Sequence, residues 1–261
     1  MPLSVVILAA GQGKRMKSDL PKVLVPVLAR PMIEYVLDAL KAAGINRTIV
    51  VVGYRADDVQ KLLADRPKFE FALQTERLGT GHAVKMAQPL LAGHNGPVAI
   101  VAGDSPMLQA ASLRALLDHF HRHQPACLLG TLHKPNPHGL GRIVREASGH
   151  FRGIVEEKDA TDDERCITEV NMSTYLFAGP QLLHALDRLK NDNRQREYYL
   201  TDCPGILKNK GQRVEALPVL QPCESLSINT PEELTQVEAE MRQMGYTTGE
   251  RTKEPKNQRT E

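Results

Sequence analysis

A chain of 261 residues with 41% hydrophobic and 25% charged side chains can bury the core of one large α/β domain or two small ones. Its 33 basic and 31 acidic residues leave a formal charge of +2, which argues against a general nucleic-acid binder but not against a site for a small anion. No run approaches the ~20 apolar residues of a membrane span. Cys127, Cys166, Cys203 and Cys223 lie far apart with no C-x-x-C pair, so reduced thiols in a soluble, cytoplasmic protein are expected, not a zinc knuckle or a disulfide framework.

The first predicted element is a buried strand, Val5–Ala9. No charged region precedes it and Gly11 ends it, so it does not read as a signal peptide. Met32, Val36, Ala39, Leu40 and Ala43 then recur at helical spacing between Pro31 and Gly44. Strands are predicted at Thr48–Val52, Phe69–Leu73 and Val98–Ala102, and Leu113, Leu116, Leu117 and Phe120 mark a helix after the last of them. This alternation builds a parallel sheet covered by helices on both faces, with ligands beyond the carboxyl ends of the strands.

The second half changes character. Arg142–Glu146 and Phe151–Glu157 form a predicted hairpin, and Glu169–Phe177 and Val214–Val219 are further strands. These read as a mixed extension closing over the ligand face of the same domain. Thr230-Pro231-Glu232-Glu233 is a helix start with a capping Thr and Pro at the first helical position. The expected division is a catalytic domain over residues 1–245 and a disordered polar tail over 246–261.

Three loops carry candidate chemistry. In Ala9-Ala10-Gly11-Gln12-Gly13-Lys14-Arg15-Met16 and Leu20-Pro21-Lys22, glycines let the backbone approach a polyphosphate, and Arg15 and Lys22 can neutralise it. An ordinary glycine turn with two solvated cations fits the same string. Met16 stands where a dinucleotide fingerprint needs its third glycine, which removes a Rossmann oxidoreductase, and no G-K-[ST] of a P-loop is present. In Ala102-Gly103-Asp104-Ser105-Pro106, an acid at the end of an apolar strand either holds a divalent ion or caps the next helix. In the third loop, Gln74 offers the donor and acceptor needed to read a pyrimidine edge, and Thr80 serves a ligand or caps its helix. His119, His121 and His123 read as a solvated helix face, because no further metal ligand follows at a telling spacing.

Taken together, these strings resemble the nucleotide-diphospho-sugar transferases. Leu8-Ala9-Ala10-Gly11-x-Gly13-x-Arg15-Met16 through Leu20-Pro21-Lys22-Val23-Leu24 is similar to the family's opening. Leu78-Gly79-Thr80-Gly81-His82-Ala83, Gly139-Leu140-Gly141-Arg142-Ile143, Gly153-Ile154-Val155-Glu156-Glu157-Lys158-Asp159-Ala160-Thr161-Asp162 and Glu197-Tyr198-Tyr199-Leu200-Thr201-Asp202 follow in the same order, and resemble most the bacterial N-acetylglucosamine-1-phosphate uridylyltransferases. The resemblance implies a Rossmann-like nucleotide-diphospho-sugar transferase fold, a mostly parallel mixed sheet with helices on both faces. It implies that Leu8, Ala9, Ala10, Gly11 and Gln74 contact uridine with Gly79, Thr80 and Gly103 beside them, and that Arg15 and Lys22 sit on the phosphates. Asp104 and Asn229 are then expected to hold Mg²⁺, and Gly141, Glu156 and Asn171 to hydrogen-bond an amino sugar. The implied partners are UTP and a sugar 1-phosphate, with no nucleic acid and no membrane, and the implied product serves cell-wall peptidoglycan synthesis.

Where the family carries Tyr before the Gly-Asp pair, this chain has Ala102, and Met172-Ser173 stands where it reads Thr-Gly after Asn. The sugar pocket is therefore expected to differ in shape. No hexapeptide β-helix repeat follows, so the acetyltransferase part of bifunctional members is expected to be absent. The same chemistry on another sugar 1-phosphate or base, and a non-catalytic sugar-nucleotide sensor, remain alternatives at this level.

Overall fold

Val and Ile at successive positions make both sides of the first strand apolar, and such a strand is stable only when both its faces are covered. The chain supplies that cover in order. β1 (Ser4–Ala9) leads through a small hairpin, β2 (Pro26–Val27) and β3 (Arg30–Pro31), into α1 (Met32–Ala42). Then come β4 (Arg47–Val52), α2 (Ala56–Leu63), β5 (Phe69–Leu73), α3 (Thr80–Met86), α4 (Gln88–Leu91), β6 (Pro97–Ala102) and α5 (Ala110–His123). The second half adds β7 (Cys127–His133), β8 (Gly141–Arg145), β9 (Phe151–Val155), α6 (Asp162–Arg165), β10 (Glu169–Ala178), α7 (Gly179–Leu186), α8 (Asp202–Asn209), β11 (Val214–Leu217) and α9 (Pro231–Gln243). This computed structural model describes residues 3–45, 47–66 and 69–249.

The main sheet runs β11-β7-β10-β6-β1-β4-β5. Strands β5, β4, β1 and β6 are parallel, β10 is antiparallel to both β6 and β7, and β11 is parallel to β7. Val5, Ile7, Ala9, Val50 and Val52 face α1, α2 and α5, whereas Val6, Ile49, Val51, Val98 and Ile100 face α3, α4, α7 and α8. A third cluster joins Met16, Val25, Val27, Leu28, Met32 and Tyr35 to Val237 and Met241 of α9.

The second half departs from expectation. Only β8 and β9 extend off the sheet, branching from β10, while β7, β10 and β11 complete it. β7 is not among the predicted strands. Its run Cys127-Leu128-Leu129-Gly130-Thr131-Leu132 has no Val, Ile or aromatic residue and a central glycine, so local preference does not mark it. Packing decides there: a Cβ on Gly130 would lie 2.9 Å from Leu116 and 3.0 Å from Leu220.

Thr230 Oγ1 accepts from the Glu233 N–H at 3.3 Å with Pro231 at the first helical position, so α9 starts as its sequence implies. Beyond α9 the Tyr246 ring meets Tyr35 edge-on at 6.0 Å, and the Gly249 N–H donates to the Leu28 carbonyl at 2.9 Å. The chain thus stays docked for four residues past the expected boundary at 245, and the rest of the expected tail lies outside the described residues.

A polar node fastens the hairpin to the sheet. Glu169 on β10 is 5% exposed and accepts from Thr131 Oγ1 at 2.6 Å and from Arg145 Nε and Nη2 at 2.6 and 2.7 Å. Arg145 Nη2 also donates to the Ala216 carbonyl at 2.9 Å. Burial pushes the Glu169 pKa up, but the hydrogen bonds from Arg145 and Thr131 outweigh it and hold the group below the ordinary carboxylate value. Its stabilisation is therefore complete above the unfolded value of about 4.3 and is lost as pH falls through the lowered one. Arg145→Met, which strands the carboxylate, is expected to cost about 3 kcal/mol in urea denaturation at neutral pH. Ser173 occupies the left-handed region at φ +55°, in the bulge where β10 slips against β7 between Asn171 and Thr174. Ser173→Gly should relieve that strain and add about 1 kcal/mol, read as a raised Tm.

Candidate active site

The four parallel strands β5, β4, β1 and β6 end on one edge of the sheet, so the loops after them meet there. β1 and β6 lie side by side, with Leu8 opposite Ala102. The Gly103 N–H donates to the Leu8 carbonyl at 2.9 Å, and a Cβ on Gly103 would lie 2.9 Å from that oxygen. The loop after β6 can therefore press against the loop after β1 only through a glycine. Ala9 and Ala10 are buried, Leu8 is partly buried, and Gly11 opens to solvent.

Gly13, at φ +66°, starts a single turn over Lys14–Met16 that buries Met16 and leaves Lys14 and Arg15 exposed. The chain returns when the Lys22 N–H donates to the Gly11 carbonyl at 3.2 Å. Lys22 Nζ then lies 2.6 Å from Asp104 Oδ2 and donates to Asn229 Oδ1 at 2.9 Å. Asp104 is thus not a helix cap: α5 begins only at Ala110, after Gln109. An open cleft of about 280 Å³ lies against Gly13, Lys14, Arg15, Lys22 and Asn229. Three cations and a backbone turn around a cleft are the groups that a polyphosphate would need.

Gln74 follows β5, is 5% exposed, and donates through Nε2 to the Gly79 carbonyl at 3.2 Å. Gly79 adopts φ +106°, and a Cβ there would lie 2.6 Å from the Tyr198 carbonyl oxygen. Thr80 neither caps α3 by its side chain nor stands alone: its Oγ1 accepts from the Leu200 N–H at 3.2 Å. This bond and the pair Gly81 N–H to Tyr198 carbonyl and Tyr198 N–H to Leu78 carbonyl, both 2.8 Å, tie the loop after β5 to residues 198–200.

Further along, a Cβ on Gly141 would lie 3.6 Å from Glu156 Oε2 and 3.7 Å from Asn171 Cβ, so these three residues come together. Asn171 Nδ2 donates to the Tyr175 hydroxyl at 2.7 Å, and its Oδ1 accepts from the Ser173 N–H at 3.2 Å. Glu156 Oε1 accepts from Thr201 Oγ1 at 2.8 Å. Burial pushes the Glu156 pKa up, Thr201 pulls part of it back, and Asp159 and Glu197 push it up again. Asp202 reaches solvent, but the protein packed around its carboxyl and its neighbours Glu156, Asp192 and Asp159 bring it up to about 6.

Met172 does not shape this group as expected. It packs against the core on the other face of the sheet, with Val170 and Leu176, because neighbouring strand residues point to opposite sides. His119 pairs with Glu215 at 2.5 Å and its ring lies 4.3 Å from that of His123. Among the described residues no group of three or more His, Cys, Asp or Glu could hold a metal. Sequence reasoning assigned no role to Thr201, Tyr175 or His82; they lie far along the chain or inside quoted strings, and only folding brings them to the site.

A cationic cleft at the carboxyl edge of parallel strands defines an α/β protein with a place for an anionic ligand. The chain belongs to the family of the MobA-like NTP transferase domain, which matches residues 5–202. It is 45% identical over 237 residues to the bifunctional protein GlmU of Shouchella clausii (strain KSM-K16), covering 91% of this chain and 52% of that protein. It is 43% identical over 239 residues to the bifunctional protein GlmU of Bacillus subtilis (strain 168), again covering 91% and 52%. The chain thus spans about half the length of the curated relatives it matches. In fold it is similar to UDP-glucose pyrophosphorylase complexed with UDP-glucose, with a TM-score of 0.76 and 16% identity over 94% of this chain and 100% of that one. The mostly parallel mixed sheet with helices on both faces is the nucleotide-diphospho-sugar transferase fold. No helix of the described residues is long and apolar enough to cross a membrane.

Thr201 is what pulls the Glu156 pKa back toward the ordinary value. In Thr201→Val the Glu156 carboxyl carbon should titrate at a higher pH by ¹³C NMR, and an unchanged midpoint would show that Thr201 does not set it.

Proposed function

We propose that this chain transfers a uridylyl group from UTP to a sugar 1-phosphate, with N-acetylglucosamine 1-phosphate the best-supported acceptor, giving a UDP-sugar and pyrophosphate. The observation that carries the reading is the convergence of Asp104 and Asn229 on the Lys22 ammonium at the floor of a cleft ringed by Lys14 and Arg15. Membership of an NTP transferase family and 45% identity to a GlmU protein support both the reaction and the sugar. The product would serve cell-wall peptidoglycan synthesis. Four free thiols, two of them buried, suit the reducing, UTP-rich cytoplasm.

A phosphate oxygen of the acceptor attacks the α-phosphorus of UTP. The new P–O bond forms as the α–β bridge breaks, and its electron pair leaves with pyrophosphate. The nucleophile is already an anion, so no strong base is required; the task of the protein is alignment and charge neutralisation. Arg15 and Lys22 neutralise phosphate oxygens, while Leu8 to Gly11, Gly103, Gln74, Gly79 and Thr80 line the nucleotide. Gly141, Glu156 and Asn171 hold the sugar, with the Glu156 carboxyl oxygens as acceptors for its hydroxyls. Asp104 and Asn229 are both hard oxygen donors, two in number and already gathered around a cation. That set fits Mg²⁺, which keeps waters and substrate phosphates as its other ligands. When bound between them, Mg²⁺ would neutralise charge on the α-phosphate and on the leaving pyrophosphate.

The test is pyrophosphate release from UTP and Mg²⁺ across a panel of sugar 1-phosphates. N-acetylglucosamine 1-phosphate should be used best. Asp104→Ala should lower kcat at least about 1000-fold with little change in Tm. Turnover of the variant within tenfold of the parent would refute the assignment of Asp104. Tight UDP-sugar binding without turnover of any sugar would make the chain a sensor instead.

A further inference from the structure

Gln74 was expected to offer both a donor and an acceptor to a base, and its surroundings leave only one of these. Its terminal atom 3.2 Å from the Gly79 carbonyl oxygen has to be nitrogen, because two bare acceptors at that distance repel. The same nitrogen lies 3.1 Å from His82 Nδ1. An amide nitrogen only donates, so Nδ1 is unprotonated and the His82 proton sits on Nε2. Both Gln74 hydrogens are thereby spent within the protein. What remains is Oε1, which no donor among the described residues reaches. His82 is itself held in place: it lies in the first turn of α3, and its ring centroid is 6.2 Å from that of Tyr198, in the segment bonded to Leu78 and Gly81.

We propose that His82 is a positioning residue for nucleotide selection, which fixes the Gln74 amide so that it presents an acceptor and no donor. Such a site favours a base whose edge carries a ring N–H, as uracil does at N3. It rejects cytosine and adenine, whose ring nitrogen at the corresponding position is an acceptor and would face Oε1 lone pair to lone pair. The inference rests on the reading that Gln74 faces the base. Without the His82 acceptor only the Gly79 carbonyl still holds the amide, so Oε1 is less firmly aimed and discrimination against a ring acceptor weakens.

The test compares kcat/KM for UTP and CTP in the parent, His82→Phe and His82→Asn, with binding of UDP and CDP by calorimetry. Phe keeps a ring against Tyr198 but offers no acceptor; Asn restores one through Oδ1. The expected result is a UTP/CTP preference at least tenfold lower in His82→Phe, about 1.4 kcal/mol, restored in His82→Asn. KM for the sugar 1-phosphate should be unchanged in all three, which a general loss of folding would not allow. His82→Ala repeats the loss if the Phe variant is unstable. A preference equal in the parent and both variants lacking the acceptor overturns the proposal, as does a parent that binds neither UDP nor CDP. A parent that binds UDP over CDP but releases no pyrophosphate refutes the transferase reading and leaves the calorimetric comparison to decide the role of His82.

Discussion

The Lys22 ammonium joins three segments that are far apart in the chain: the glycine turn after β1, the Gly103-Asp104 corner after β6, and Asn229 ahead of α9. Its partners lie 2.6 and 2.9 Å away, and the bond to Asn229 spans 207 residues. A pair with side chains 14% and 28% exposed contributes little net stability by itself. The arrangement is therefore held by its supports, not by its charges. Met16 and Val25 on one side and Ile228, Val237 and Met241 on the other share one apolar cluster, and that cluster brings the last helix against the first loop. This geometry is a consequence of where that packing places three backbones.

The candidate site residues fall into two groups of different charge. Lys14, Arg15 and Lys22 line the cleft after β1, while Glu156 and Asp202, both with raised pKa values, belong to the second half. The antiparallel strand β10 links the two, since it pairs with β6 on one side and carries Asn171 opposite Gly141 on β8.

The group around Asn171 also shows how a strand irregularity sorts side chains between two faces. The bulge at Ser173 lets Asn171 and Tyr175 meet at 2.7 Å on one face, while Met172 turns to the core on the other. Ser173 therefore carries backbone strain and Met172 joins the core, while Gly141, Glu156 and Asn171 gather on the opposite face.

The N-terminal half was legible in the sequence because its signals are local. Alternation of β-branched runs with 3.6-residue apolar periodicity is imposed by burial on both faces of parallel strands, and Thr230-Pro231 caps its helix through bonds spanning three residues. The glycine turn after β1, Asp104 and Gln74 could be singled out for the same reason: each stands at the end of a recognisable strand. What the sequence could not determine were features defined by non-local contact. β7 has weak strand preference and is made a strand by its neighbours. Met172 lies next to a site residue in the chain and on the opposite side of the sheet. Thr201 reaches Glu156 only after separate loops are brought together. A residue's type limits what it can donate or accept, but which of those capacities is left for a ligand depends on the neighbours that use the others, and those are chosen by the tertiary fold.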